Sequence, residues 1–162
     1  MGICRKKLIL AIPAVIFGTD GVIKHRIDRK MDLGEQKEIC NGKLLIRKQY
    51  NEGAAFGIFA SRPKDVTIVQ GVFLSAVAAC YAGLLPRKGK TGLKISLGML
   101  LGGGLSNFCD RLAKRHVVDY ISVPAKWKRV RKIVFNVSDV FIFAGAALSL
   151  LLVNRKQKDK TK

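Results

Sequence analysis

The feature that most constrains this chain is Val66–Leu85, VTIVQGVFLSAVAACYAGLL, twenty residues without a charge in a protein of net charge +19. About twenty consecutive apolar residues cover the hydrocarbon of a bilayer, and a buried backbone must satisfy its own polar groups there, so the run predicts a transmembrane helix. Three further apolar runs, at 8–23, 92–108 and 133–153, are read the same way. Apolar residues make up 49% of the 162, yet Lys and Arg outnumber Asp and Glu by 30 to 11. Both facts hold together when apolar blocks alternate with charged connections. The expected fold is therefore one all-α integral membrane domain over 1–162, with four transmembrane helices, a small β-like and loop subdomain outside the membrane, and an interfacial segment. A soluble nucleic-acid binder would spread a basic face along amphipathic elements instead. No nucleic-acid partner is expected, and membrane lipids are.

The first run follows Arg5, Lys6 and Lys7 like a signal peptide, but no small-x-small cleavage site follows it, so it is read as uncleaved with Pro13 tolerated inside. Asp20 and Lys24 stand four apart near its far end, the spacing of a helical ion pair; on spacing alone a plain surface pair fits equally. Residues 24–65 are polar, with HRIDRKMDLGEQKEICNG expected along the interface and KLLIRKQY strand-like. Asn51–Phe59, NEGAAFGIF, is small and neutral and allows close backbone approach. PRKGKTG after the second run resembles a phosphate loop, but five residues separate Gly83 from Gly89 where four are needed. Gly98, Gly102, Gly103 and Gly104 are expected to pack helices. Residues 112–132 form a very basic connection ending PAKWKRVRK, whose Trp127 suits a membrane interface. Asn154–Lys162 is expected to be a disordered basic tail. Cys4, Cys40, Cys80 and Cys109 show no metal or redox spacing, and Cys80 reads as a small buried hydrophobe.

Chemistry is expected from Asp119 and Asp139, carboxylates at the edges of the third and fourth runs, because an ionisable group beside lipid is costly to keep idle. Asn107 and Asp110 are three apart with Arg111 next, and Asn136 and Asp139 repeat that spacing. Two close carboxylates share a proton: one accepts, the other donates. Such a pair can activate a water against a carbonyl and protonate the leaving nitrogen, which is aspartic-protease chemistry. Neither His25 nor His116 lies near a nucleophilic serine, and two Asp alone make a poor metal site. No metal and no cofactor are expected. On the residues alone a second reading stays open: Asp139 caps its helix or pairs with Arg111, and Asp119 ends a loop.

Four blocks in order resemble one family. Asp20 and Lys24 are similar to a D-x-x-x-K in the first helix, and Asn51–Gly57, NEGAAFG, to N-x-G-x-A-F-G. Gly104, Asn107, Asp110, Arg111 and Val118–Asp119 resemble G-x-x-N-x-x-D-R followed by V-D-[FY], and Phe135, Asn136 and Asp139 resemble F-N-x-[AS]-D. The family is that of the lipoprotein signal peptidases (signal peptidase II), and the resemblance covers nearly the whole chain. It implies a membrane aspartic endopeptidase of the bacterial cytoplasmic membrane that cleaves diacylglyceryl-modified prolipoproteins just before the lipidated cysteine. It implies that Asp119 and Asp139 are catalytic. Asn51, Gly53, Asn107, Asp110, Arg111 and Asn136 would bind substrate or steady the pair, and Asp20 and Lys24 would support structure or position substrate. It implies cytoplasmic termini, an extracytoplasmic β-like subdomain and an active site near the outer leaflet; the protein is expected to act as a monomer. Charge counting opposes that orientation, with 12 Lys and Arg on the terminal side against 18 on the other. Departures from the pattern are Ser138, where Ala is commonest, and the unusually basic outer connections. A catalytically degenerate four-helix protein that binds lipoprotein or anionic lipid is the alternative.

Overall fold

The structure, a computed structural model, describes residues 3–53, 59 and 61–158. In chain order these form α1 (Ile3–Lys30), β1 (Gln36–Ile39), β2 (Leu44–Asn51), α2 (Pro63–Leu84), α3 (Thr91–Lys114), β3 (Val117–Ser122), α4 (Lys128–Arg131), β4 (Val134–Phe135) and α5 (Val137–Lys158). Ala54–Gly57 of the NEGAAFG block, and residues 159–162 of the tail, lie outside the described residues.

Among the described residues three helices are long and apolar enough to cross a membrane: Lys6–Lys30, Pro63–Leu84 and Val137–Asn154. The fourth expected span lies in α3, which has the length but not the composition. The reason is its place at the centre of the bundle, where it packs against α1, α2 and α5. Its buried face carries Lys94, Ser96, Ser106, Asn107 and Arg111. A helix sheathed by protein need not be apolar all round.

The glycines of α3 make that sheath close. A Cβ on Gly102 would lie 2.8 Å from the Pro13 carbonyl of α1, one on Gly103 2.6 Å from the Ser138 carbonyl of α5, and one on Gly104 2.7 Å from Leu74 of α2. Three successive glycines thus admit three different helices. Pro13 leaves the Ile9 carbonyl without its helical donor, and the Tyr81 hydroxyl of α2 donates to it instead at 2.7 Å. Lys94, fully buried, donates to the Leu85 and Arg87 carbonyls just past the end of α2.

Several expected boundaries move. The first helix runs to Lys30, so residues 24–30, expected in the polar connection, continue α1. Residues 133–135 are not helical: β4 closes the sheet there and α5 begins at Val137. Asp110 and Arg111 lie on α3. Asp119 is on a strand, since VVDYIS in the basic connection pairs with KLLIRKQY. The backbone of the tail is helical to Lys158. Cys80 is exposed on the outer face of α2, where an apolar surface meets lipid rather than core. The β-like expectation becomes a four-stranded antiparallel sheet, ordered β1-β2-β3-β4. Gln49 opposes Asp119 and Asn51 opposes Val117, which sets the end of β2 beside Asp119.

Candidate active site

The start of α5 places Asp139. Asn136 is its N-cap: the Asp139 N–H donates to Asn136 Oδ1 at 2.9 Å, and the Asn136 N–H donates to Asp139 Oδ2 at 3.1 Å. This reciprocal pair is a capping box. Its other arm aims the Asn136 side chain, whose Nδ2 donates to Asp119 Oδ1 at 2.7 Å. One residue therefore holds both carboxylates. The remaining oxygens are also held. Asn107 Nδ2 donates to Asp139 Oδ1 at 2.8 Å, and Asn51 Nδ2 donates to Asp119 Oδ2 at 3.0 Å. Burial, with the charge of Asp139 next in weight, pushes the Asp119 carboxyl up to about 7 from its usual 3.8.

Both carboxylates line a cleft of about 600 Å³ between α2, α3, α5 and the sheet. Its walls are largely apolar, with Val66, Val69 and Phe73 of α2 facing Ile142 and Phe143 of α5. Arg111 also lines it. The guanidinium donates to Gln70 Oε1 at 2.8 Å and to the Gly53 carbonyl, while its buried Nε has no partner among the described residues. The Gly53 N–H donates to Asn51 Oδ1 at 3.0 Å, so a continuous chain runs from Gln70 through Arg111, Gly53 and Asn51 to Asp119.

Asp20 and Lys24 lie beneath the cleft as a buried ion pair at 2.8 Å, not on the surface. Asp20 accepts from Ser106 and Ser138 at 2.6 Å each and from Tyr120 at 2.8 Å. The Tyr120 hydroxyl in turn accepts the Val137 N–H at 3.2 Å. Lys24 donates to Asn107 Oδ1 at 2.7 Å and pairs with Asp110 at 3.2 Å. With its oxygen engaged by Lys24, the Asn107 amide must present its nitrogen to Asp139. Asp110 also accepts from the Val118 N–H, beside Asp119, at 3.4 Å.

Every expected site residue thus falls in one network. Asp119, Asp139, Asn51, Asn107 and Arg111 line the cleft; Gly53 and Asn136 are bonded directly to lining groups; Asp20, Lys24 and Asp110 brace from behind. Asp139 also caps its helix, and capping and facing the cleft are compatible. Sequence reasoning missed Gln70, Ser106, Tyr120 and the bond from Ser138. Gln70 carried a signal: Thr67 and Ser75 in the same run satisfy themselves on their own helix, at the Pro63 and Gly71 carbonyls, and an amide side chain needs a partner elsewhere. Among the described residues no three His, Cys, Asp or Glu side chains are grouped to hold a metal ion.

Comparison with known proteins agrees with the geometry. Two solved structures, both titled as a bacterial membrane enzyme, share the fold. One covers 95% of this chain and 92% of its own with a TM-score of 0.79 at 21% identity, the other 91% and 92% with 0.76 at 23%. The lipoprotein signal peptidase of Shouchella clausii is 30% identical over 154 residues, 93% of this chain and 97% of its own. That of Symbiobacterium thermophilum is 31% identical over 157 residues, 92% and 96%. The family model described as signal peptidase (SPase) II matches residues 12–155. A protein with this bundle, these relatives and that match belongs to the signal peptidase II family, and is a membrane protease of lipoprotein processing.

Proposed function

We propose that the chain is a membrane aspartic endopeptidase that removes the signal peptide of diacylglyceryl-modified prolipoproteins, cutting just before the lipidated cysteine. The observation that carries this reading is that Asp119 and Asp139 are held by the one residue Asn136 at the polar end of an apolar cleft. The substrate class comes from the names of the relatives. In the proposed mechanism the dyad holds one proton and a water. The deprotonated carboxylate takes a proton as the water oxygen bonds to the scissile carbonyl carbon. The protonated carboxyl gives its proton to the carbonyl oxygen, forming a tetrahedral diol. As the diol collapses one hydroxyl returns a proton to that carboxylate, the C–N bond breaks, and the leaving nitrogen takes the proton held by the other carboxyl. The Arg111 guanidinium lining the cleft suits a substrate carbonyl, and the apolar faces of α2 and α5 suit the signal helix. We take α3 as the fourth crossing and the protein as a single-domain monomer. The termini are then cytoplasmic, and the sheet and dyad lie at the outer leaflet of a bacterial cytoplasmic membrane.

The test is in vitro processing of a diacylglyceryl-modified substrate by Asp119→Asn and Asp139→Asn proteins that still insert and stay monodisperse. Each is expected to lose about 10³-fold or more in rate, the scale of general acid–base catalysis. Processing near the wild-type rate by either sinks the aspartic mechanism. Binding without cleavage by the wild type supports the degenerate alternative.

A further inference from the structure

We propose that the hairpin tip joining β3 to β4 is a docking surface for anionic phospholipid headgroups beside the cleft. Three observations place it there. Ser122 pairs directly with Val134, so the excursion between them begins and ends at one point of the sheet. That point lies three residues before α5, a membrane-capable helix, starts at Val137, so the tip sits at the level where this helix leaves the apolar layer. Val134 and Phe135, at its base, line the cleft.

The chemistry of the tip fits one occupant. Five of the nine residues Pro124–Lys132 are Lys or Arg, and no acidic residue stands between Asp119 and Asp139. Lys126, Arg131 and Lys132 are exposed, and among the described residues none is in an ion pair. Lys24, Lys37, Lys48 and Lys114, on or near the sheet, are by contrast paired with Asp20, Glu35, Asp28 or Asp110. Amid the free cations Trp127 is 78% exposed. An indole settles at headgroup level, and unpaired cations there attract anionic lipid. A solvated tip would need the charges but not an exposed indole. A protein partner would require shape, which a four-residue helix and a turn hardly provide. The proposal rests on the helices crossing a bilayer and not on peptidase activity, so its test needs no substrate.

Trp127 is the only tryptophan of the chain, so tryptophan emission reports this tip alone. The full-length protein is placed in nanodiscs of phosphatidylcholine with increasing phosphatidylglycerol. The expected result is a blue shift with the anionic fraction, quenching by brominated phosphatidylglycerol, and reversal by salt. The combined Lys126→Gln, Arg131→Gln and Lys132→Gln variant should need several-fold more phosphatidylglycerol for the same shift. Water-like emission, quenched equally by acrylamide at every composition, overturns the proposal. A blue shift already complete in phosphatidylcholine and insensitive to salt overturns its anionic selectivity. The salt titration of the wild type decides the matter even if the triple variant fails to fold.

Discussion

Asp119 carries two duties that pull in opposite directions. Catalysis asks it to share a proton with Asp139, and the fold buries it under donors from Asn51 and Asn136. Its carboxyl is raised from 3.8 to about 7, so the folded chain binds that proton more tightly than the unfolded chain does. The contribution to stability is therefore full below about 4 and is lost as pH rises through about 7, on the order of a few kcal/mol. The melting temperature of the wild type minus that of Asp119→Asn should fall by several degrees across that window and level off above it. Thermal unfolding in detergent at a series of pH values checks this, and a flat difference refutes it. Under the proposed mechanism kcat/KM should also decline as pH rises through about 7, because the dyad loses its shared proton. The same residue marks a limit of sequence reading. That Asp119 mattered was legible from its cost near lipid and its place in a motif. That it stands on a strand was not, because its strand is held by pairing with β2, some seventy residues earlier. The Ser106, Tyr120 and Ser138 bonds to Asp20 were hidden for the same reason: short hydroxyl groups acquire roles only through contacts between elements distant in sequence.

At the level of elements, α3 is the spine, and its glycines set how close α5 comes to it. The apolar blocks were legible because length and lack of charge are local properties. Which glycine meets which helix was not, since this depends on rotation about axes that sequence does not state. Gly103 is the sharpest case. A methyl there would meet the Ser138 carbonyl oxygen at 2.6 Å and Ile142 at 2.9 Å, and backbone cannot swing aside as a side-chain tip can. Gly103→Ala should push α5 away one residue from Asp139. The expected cost is about 1–3 kcal/mol of stability, typical of overpacking, together with a loss of processing rate. Gly21→Ala is the control: nothing lies within 4 Å of its added methyl. Helix propensity makes that change neutral or stabilising by up to ~1 kcal/mol. Paired melting curves and processing assays separate the two. Equal tolerance at both sites would mean that α3 and α5 are not in the close register described.

For the whole molecule, orientation is the property on which chemistry and charge disagree. The proposed substrate places the sheet and cleft outside, whereas the greater number of Lys and Arg lies on that same side. Part of the conflict is local. Lys24 is paired with Asp20 four residues earlier on its own helix, an ion pair α1 can form as it inserts, so Lys24 weighs less than a free cation. Without it, Arg26, Arg29 and Lys30 at one end of α1 balance Arg5, Lys6 and Lys7 at the other, and the first helix gives no net preference. The hairpin tip supplies a reason for cations to stay on the sheet side, because there they have headgroups to meet. Cys40 permits a direct reading. It stands exposed in the β1–β2 turn of the sheet, where Cys40, Asn41 and Gly42 all adopt positive φ. In a protein with Cys4, Cys80 and Cys109 changed to Ser, a membrane-impermeant maleimide should label Cys40 in intact spheroplasts as fully as after permeabilisation. Labelling that appears only after permeabilisation would place the sheet inside. The cleft would then open toward the cytoplasm, and a substrate anchored in the outer leaflet could not reach Asp119 and Asp139.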